Sequence, residues 1–168
     1  AAALREFEQA VGAQYVFTTP EDLSLYRDFY SPFMGEEEER TAAAAIAPAN
    51  TEEVQAVARI ANQHGVPLYP IPTGRNLGYG GSAPALSGSV VLDLKRMDRI
   101  IEVDERSAFA LVEPGVSYLD LANHIRERGL KLWVDAPTPG WGSPVGNESN
   151  STSTLPLTRS GMASAVPL

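Results

Sequence analysis

Residues 70–82, which read PIPTGRNLGYGGS, decide the fold of this chain. We call residues 73–82 the glycine loop; it contains no acidic residue, and apolar runs lie before it at 66–69 and after it at 90–92. Its glycines are Gly74, Gly78, Gly80 and Gly81. Glycine lets a loop reach positive φ and approach a ligand closely, and successive backbone N–H groups in such a loop can bind an anion. Together with the cationic Arg75, the pattern predicts a strand–loop–strand cradle for a phosphate group, with an ordinary connecting loop as the alternative.

Two better-known phosphate-binding motifs do not fit this loop. Residues 78–81, Gly-Tyr-Gly-Gly, match G-x-G but not the G-x-G-x-x-G of a doubly wound fold, and a strand pattern follows where that fold begins a helix. A P-loop requires Gly-Lys followed by Ser or Thr, which the sequence does not contain. A loop between two strands is therefore the better description.

The composition is that of one globular domain and excludes several classes of function. The chain has 168 residues, 43% hydrophobic and 20% charged. Its net charge of −8 argues against nucleic acid as a partner, because a phosphate backbone requires clustered Lys and Arg. Apolar runs are too short to cross a bilayer, and the absence of cysteine excludes disulfides and thiolate chemistry. The composition leaves the compartment and the oligomeric state open.

Residues 1–41 are predicted to be an N-terminal extension. An amphipathic helix is indicated over residues 2–11 and ends at Gly12. Residues 15–34 are rich in aromatic side chains, which we expect to pack onto the domain or, alternatively, to form an aromatic wall for a substrate. The acidic run at 36–39 is expected to be a solvated loop, since it lacks the spacing and the histidines of a metal site.

A β-α-β unit is predicted ahead of the glycine loop. Residues 41–47 read as a buried strand, and the helix that follows is capped by Asn50 or Thr51 and ended by Gly65. Residues 66–71 form the second strand, and such a unit implies parallel pairing of its two strands through a right-handed crossover. The glycine loop would then begin at the carboxyl edge of a parallel strand, where α/β proteins place ligands.

The rest of the chain predicts further strands, a helix and a second loop. Strand patterns occur at residues 89–94, 100–103, 108–112 and 130–134. Before the last of these, Ser117 and Asp120 form a capping box that begins a helix, and Gly129 ends it. Residues 135–147, DAPTPGWGSPVGN, are dense in Gly and Pro. This second loop either closes over the same ligand or makes a long surface connection.

The order of these segments resembles a known flavoprotein family. PIPTGRNLGYGGS is followed by VVLDLKRMDRIIEVD, ALVEPGVSYLDL and APTPGWGSPVGN. They resemble the FAD-binding domain of the vanillyl-alcohol oxidase and p-cresol methylhydroxylase family, in particular its 4-alkylphenol-oxidising branch. The resemblance implies an α+β fold: the N-terminal part of a PCMH-type FAD-binding domain, with a small parallel β-α-β unit, then a mixed or antiparallel sheet, and flanking helices. It covers residues 42–147 and leaves 148–168 as an atypical Ser- and Thr-rich tail, with the domain incomplete.

The resemblance implies three groups of residues around FAD. Backbone amides of the glycine loop would contact the pyrophosphate, with Arg75 and Asn76 shaping the turn. Residues 113–116 and 142–147 would form further backbone walls around the ADP half and the flavin. The implied cofactor-binding residues are Thr73, Gly74, Arg75, Asn76, Leu77, Gly78, Tyr79, Gly80, Gly81, Ser82, Glu113, Pro114, Gly115, Val116, Pro137, Thr138, Gly142, Ser143, Val145, Gly146 and Asn147.

Tyr79 matches a tyrosine with which this family holds its phenolic substrate as a phenolate, and it is the implied catalytic residue. A para-alkylphenol loses hydride from its benzylic carbon more readily once ionised, because the oxyanion stabilises the resulting quinone methide. Donors aimed at the charged oxygen lower its pKa and favour this form. The flavin accepts the hydride. The alternative for Tyr79 is a ring that packs on the glycine backbone.

The sequence departs from the family pattern in three places. Thr138 stands where the vanillyl-alcohol oxidase type has an aspartate, so no carboxylate is available there as a base or as a helper in flavin attachment. The glycine loop has no His or Cys, which excludes a covalent flavin link from this loop; His64 and His124 lie on predicted helices and are expected to face solvent. From Glu148 onward, Ser and Thr replace the family's glycine- and tyrosine-rich run and predict a flexible tail.

The resemblance thus implies an FAD-dependent oxidoreductase of para-alkylphenols, with either oxygen or a cytochrome c subunit as the electron acceptor. Two alternatives stay open. One is a flavin oxidase of hydroxy acids or sugar lactones, which share the domain, and the other is a truncated FAD-binding module without catalytic activity.

Overall fold

This computed structural model describes residues 2–75, 81–135 and 140–146 and the backbone of 157–159. A four-stranded sheet is formed by strands that lie between residues 16 and 93. Its strands are β1 (Val16–Phe17), β2 (Ala44–Ile46), β3 (Leu68–Ile71) and β4 (Val90–Asp93). They lie in the order β1-β2-β4-β3, with β2, β4 and β3 parallel and β1 antiparallel to β2. Ile71 is opposite Asp93, so β3 and β4 end at the same edge of the sheet.

The predicted direct pairing between the two strands of the β-α-β unit is wrong, because β4 lies between β2 and β3. Two features of the sequence account for this order. All four residues of β4 are buried, as expected for a central strand of a parallel sheet. β3 contains Pro70, which has no N–H for a ladder hydrogen bond and therefore suits a strand at the edge of the described sheet.

Two helices, α1 (Ala2–Val11) and α3 (Thr51–His64), cover one face of this sheet. The other helices are α2 (Pro20–Leu23) and α4 (Tyr118–Glu127), with 3₁₀ turns at Ala13–Tyr15, Ser24–Tyr26 and Leu94–Arg96. As predicted, the Asn50 side chain caps α3 by accepting the Glu53 N–H, and Gly65 ends the helix at a φ of 63°. Helices α1 and α3 and the sheet share one core, formed by Phe7, Val11, Ala44, Ile46, Val57, Ala61, Val90 and Leu92. None of the described helices is long and apolar enough to cross a bilayer.

The aromatic segment of residues 15–34 packs only in part. Tyr26 is 4% exposed and lies on the opposite face of the sheet, against Ala45 and Val91. The prediction that the rings pack onto the domain is wrong for three residues that are more than half exposed, Phe29, Tyr30 and Phe33. Successive turns between residues 28 and 39 are closed by hydrogen bonds within the segment itself, and this leaves these rings outside the core.

The acidic run is solvated at Glu36, Glu37 and Glu38 but not at Glu39, so the predicted solvated loop is wrong at its last residue. The Glu39 carboxylate accepts two hydrogen bonds from the Arg27 guanidinium and one from the Gly35 N–H. These bonds lower the pKa of Glu39 to about 2. The ion pair closes the exposed aromatic turns into a loop.

A smaller unit is built on the hairpin of β5 (Ile100–Asp104) and β6 (Phe109–Val112). Both strands were predicted, and they pair antiparallel. Helix α4 begins with the predicted capping box of Ser117 and Asp120. It packs against the hairpin through a core of Val116, Leu121, Ile125 and Leu132. The sequence predicted a parallel unit followed by a mixed or antiparallel sheet. In the structure, the parallel strands form one sheet and the antiparallel β5–β6 hairpin is a separate sheet.

One further strand lies in the segment that was predicted to be a flexible tail. β8 (Leu157–Arg159) pairs antiparallel with β7 (Leu132–Val134). The prediction is wrong for these three residues. An unpaired edge of β7 offers backbone N–H and C=O groups with which an extended segment can pair. The composition of the tail, averaged over all its residues, does not show that three of them can form such a strand.

An ion pair closes the open end of the β5–β6 hairpin. The Glu113 N–H donates to the Arg99 carbonyl at 2.9 Å, and the Arg99 N–H donates to the Glu113 carboxylate at 2.9 Å. The guanidinium adds hydrogen bonds of 3.0 and 2.7 Å to the same carboxylate. Hydrogen bonding to Arg99 holds the pKa of Glu113 below its ordinary value.

Replacing Phe7 by Ala should lower the free energy of unfolding by about 3–5 kcal/mol, because the ring is 1% exposed in the core between α1, α3 and the sheet. Phe109→Ala is the matched control, since this ring is 44% exposed. Urea denaturation measures both. A Phe7 variant no less stable than the Phe109 variant would contradict the packing of α1 described above.

The Arg99–Glu113 pair should make stability fall at acid pH. Because the pKa of Glu113 is lower in the folded protein than its ordinary 4.5, its contribution is complete above pH 4.5 and is lost as the pH falls through the folded value. Glu113→Gln removes this titration. As the pH falls below 4.5, the melting temperature of the variant should therefore decline less steeply than that of the wild type. The exposed Glu102→Gln is the control. An equal decline of the melting temperature in the wild type and in Glu113→Gln would show that the Arg99–Glu113 pair does not cause the loss of stability at acid pH.

Candidate functional site

The predicted site residues divide into two groups. Those that lie outside the described residues, and whose assignments stay predictions, are Asn76, Leu77, Gly78, Tyr79, Gly80, Pro137, Thr138 and Asn147. The remaining ones lie in three segments, residues 73–82, 113–116 and 142–146.

A hydrogen bond joins the two described ends of the glycine loop. Ser82 is 7% exposed, and its Oγ donates to the Gly74 carbonyl at 2.8 Å. Gly74 has a φ of 67°, and a Cβ at this position would lie 2.3 Å from Ser82 Oγ. Residues 74 and 82 therefore touch, directly beyond the carboxyl end of β3.

Backbone donors are concentrated at this point. Within the described part of the chain, the N–H groups of Thr73, Gly74, Arg75 and Ser82 donate no hydrogen bond. The Arg75 side chain is exposed beside them. Unpaired N–H groups next to a guanidinium suit a phosphate, because they supply donors and positive charge together.

Gly81 lies against the upstream aromatic loop. A Cβ on Gly81 would lie 3.7 Å from the Arg27 carbonyl oxygen. Next to this contact is a cavity of about 610 Å³. Its lining includes the aromatic and proline side chains Tyr30, Phe33, Tyr69 and Pro84. The exposed rings thus border a concave space that begins where the glycine loop ends, and an aromatic substrate wall stays a hypothesis for them.

Residues 113–116 rest on the turn that follows β4. The Gly115 N–H donates to the Met97 carbonyl at 2.7 Å, and a Cβ on Gly115 would lie 2.6 Å from the Lys95 carbonyl oxygen. Only glycine fits so close to the turn. The Glu113 side chain is turned toward Arg99, and Val116 is fully buried. Both side chains face protein, and the N–H groups of Glu113, Gly115 and Val116 donate to carbonyls of the protein, so this segment can contribute a backbone wall but no free N–H donor.

The described part of the second loop contacts both other segments. Ser143 Oγ donates to the Pro114 carbonyl at 2.7 Å and accepts the Gly146 N–H at 3.4 Å. A Cβ on Gly146 would lie 2.4 Å from Pro72 Cγ, next to the start of the glycine loop. Gly142, Ser143 and Gly146 are buried, whereas Val145 is 38% exposed. The three segments therefore form one continuous group.

Two buried residues that no sequence motif marks, Asp93 and Tyr26, support this edge of the sheet. Asp93, at the end of β4, is 2% exposed and accepts the Tyr26 hydroxyl at 2.8 Å. The same carboxylate binds Lys95 Nζ at 2.8 Å and the Lys95 N–H at 3.1 Å. Burial is the main cause that raises the pKa of Tyr26, and the neighbouring Asp93 carboxylate raises it further. The Tyr26 hydroxyl therefore remains a neutral donor. Asp93 fixes the turn on which Gly115 rests; the only sequence signal was one carboxylate that ends an apolar strand.

The residues present fit an anionic nucleotide cofactor. The described residues of the three segments supply backbone donors and Arg75, and their one carboxylate, Glu113, is paired with Arg99. A pyrophosphate would therefore meet no unpaired negative side chain from these segments. No group of acidic and histidine side chains placed to hold a metal ion occurs among the residues that the structure describes.

Comparison with known proteins agrees with this description. A family model described as an FAD binding domain matches residues 42–166. The 4-cresol dehydrogenase (hydroxylating) flavoprotein subunit of Pseudomonas putida is 36% identical over 146 residues, which are 86% of this chain and 28% of that protein. A glycolate oxidase subunit of Bacillus subtilis is 37% identical over 110 residues, 66% of this chain and 23% of its own.

Solved structures show the same relationship. The 4-ethylphenol oxidase from Gulosibacter chungangensis superposes with a TM-score of 0.82 at 43% identity, over 87% of this chain and 28% of that one. p-Cresol methylhydroxylase superposes with a TM-score of 0.82 at 35% identity, over 88% of this chain and 28% of its own. This chain thus spans less than a third of the length of these proteins. It belongs to the FAD-binding domain family of p-cresol methylhydroxylase-type flavoproteins, and its cofactor is FAD.

Proposed function

We propose that the protein containing this chain oxidises para-alkylphenols at the benzylic carbon, with FAD as the hydride acceptor. The observation that supports this substrate class best is the 43% identity to a 4-ethylphenol oxidase over 87% of the chain. The 4-cresol dehydrogenase subunit, at 36% identity, is a second relative named for a para-alkylphenol.

In this proposal the described residues bind the anionic centre of the cofactor through their backbone. The N–H groups of Thr73, Gly74, Arg75 and Ser82 donate to the pyrophosphate oxygens, and the Arg75 guanidinium adds positive charge. Residues 113–116 and 142–146 form the neighbouring walls, held together by the hydrogen bond from Ser143 to Pro114. FAD, when bound, supplies the redox chemistry of the reaction.

Tyr79 is the proposed catalytic residue. Its hydroxyl donates to the phenolic oxygen of the substrate and stabilises the phenolate, which lowers the pKa of the phenol. The phenolate then releases the benzylic hydride and becomes a quinone methide. The negative charge that drives this step sits on the oxygen that Tyr79 contacts, so the protein promotes the reaction through one positioned donor.

Oxidation of hydroxy acids is the second candidate, and the 37% identity to a glycolate oxidase subunit favours it. That match covers 66% of the chain, whereas the match to the 4-cresol dehydrogenase subunit covers 86%. A hydroxy acid presents a carboxylate rather than a phenol, and it requires cationic side chains that bind carboxylate. Within the three site segments, the one described cationic side chain is Arg75, which this proposal assigns to the pyrophosphate.

The electron acceptor that reoxidises the flavin is either oxygen or a cytochrome c subunit. The Pseudomonas relative is named as a flavoprotein subunit, which supports a partner protein for this chain as well. Rates of flavin reoxidation in air and with a c-type cytochrome under argon distinguish the two acceptors.

A substrate panel tests the proposed function. With the intact FAD-loaded protein under anaerobic conditions, 4-ethylphenol and p-cresol should bleach the oxidised-flavin absorbance, whereas glycolate and D-lactate should leave it unchanged. Phenol without an alkyl group is the control, since it can ionise but has no benzylic hydrogen. Reduction by glycolate but not by either alkylphenol would overturn the proposal in favour of the second candidate.

Tyr79→Phe should lower the rate of flavin reduction by 4-ethylphenol about 100-fold, because one hydrogen-bond donor to a developing or bound oxyanion is removed. Binding of FAD should be unchanged. Tyr15→Phe, which removes a hydroxyl from a side chain outside the three site segments and outside the cavity lining, is the matched control. Equal reduction rates in the two variants would remove Tyr79 from the mechanism.

A further inference from the structure

The Ser82 hydroxyl already donates a hydrogen bond within the protein. Ser82 is 7% exposed, and its single hydroxyl proton is donated to the Gly74 carbonyl at 2.8 Å, across eight positions of the chain. Phosphate oxygens of a pyrophosphate bridge only accept hydrogen bonds. A serine hydroxyl has one donor proton, so it cannot donate to Gly74 and to a phosphate oxygen at the same time.

Gly74 and Ser82 also determine each other's identity. A Cβ on residue 74 would lie 2.3 Å from Ser82 Oγ and 3.5 Å from Ser82 Cβ. A side chain at position 74 would therefore collide with the Ser82 hydroxyl oxygen, and its Cβ would also lie 3.2 Å from Ile71 Cδ1. Gly74 in addition has a φ of 67°, which other residues adopt at a cost. The pair closes the glycine loop at its base with one hydrogen bond and one glycine.

We infer that Ser82 is a positioning residue for FAD, which fixes the base of the glycine loop through Gly74 and does not contact the cofactor with its hydroxyl. The inference rests on the proposed location of the pyrophosphate at residues 73–82. The bond holds the N–H groups of Thr73, Gly74 and Arg75 in one arrangement before FAD arrives, so less conformational freedom is lost on binding. The Ser82 N–H, rather than its hydroxyl, is then the group that donates to the phosphate.

Ser89 provides a matched control for this hydrogen bond. It is 3% exposed, and its Oγ donates to the Leu86 carbonyl at 2.7 Å in a turn outside the three site segments. Ser82→Ala and Ser89→Ala thus remove the same type of bond from equally buried positions. Both variants should lose similar thermal stability in the FAD-free protein, but only Ser82→Ala should raise the Kd for FAD, by about tenfold.

Hydrogen–deuterium exchange separates positioning from direct contact. In the FAD-free protein, Ser82→Ala should increase amide exchange at residues 73–75, and Ser89→Ala should not. A hydroxyl that contacted the phosphate directly would leave exchange in the FAD-free protein unchanged and would alter only the complex. Ser82→Cys, which keeps a weaker donor at the same position, should give an intermediate Kd and serves as the test if Ser82→Ala does not fold.

Each outcome has one meaning. A raised Kd together with faster exchange at residues 73–75 supports the inference. A wild-type protein that binds FAD, with Ser82→Ala indistinguishable from Ser89→Ala, overturns the inference and leaves the proposed function intact. A wild-type protein that binds no FAD overturns both.

Discussion

The parallel pairing of β3 with β4 is the constraint on which the rest of the structure depends. Because Ile71 lies opposite Asp93, the chain leaves both strands at one edge of the sheet. Parallel neighbours need a long connection, and residues 72–89 supply it, with the glycine loop at its start. The turn after β4 begins at the same edge and supports Gly115, so two walls of the candidate site follow from one strand register. A shift of this register would separate them.

Close backbone contacts bring the site segments together. Glycines at 74, 115 and 146 each face another part of the chain at a distance that leaves no room for a Cβ. Buried hydroxyls add hydrogen bonds to these contacts, since Ser82 donates to the carbonyl at the other end of its own loop and Ser143 donates to a carbonyl in a neighbouring segment. Glycine is therefore required here by the protein's own packing, and the freedom of its backbone to approach a phosphate is an additional use of the same residues. Such a site is built almost entirely from main-chain groups, which suits a cofactor with an anionic bridge.

The sequence predicted correctly the helices whose ends are set by neighbouring residues, such as caps and capping boxes. The Asn50 cap, the positive φ of Gly65 and the Ser117–Asp120 capping box fixed helices α3 and α4 correctly, and the ordered motifs identified the family. Long-range partners were missed, because no sequence spacing links Tyr26 to Asp93. The insertion of β4 between β2 and β3 could have been inferred from Pro70, which disfavours a central position for β3. The exposure of Phe29 and Tyr30 could not have been inferred from the sequence, because turns closed within their own segment override the tendency of aromatic rings to be buried.

The location of the pyrophosphate tests this account most directly. In a crystal structure of the intact protein with FAD, we expect the pyrophosphate oxygens within hydrogen-bond distance of the N–H groups of Thr73, Gly74, Arg75 and Ser82, with Ser82 Oγ still donating to the Gly74 carbonyl. A pyrophosphate bound at another edge of the sheet, with these four N–H groups hydrogen-bonded to water, would contradict it.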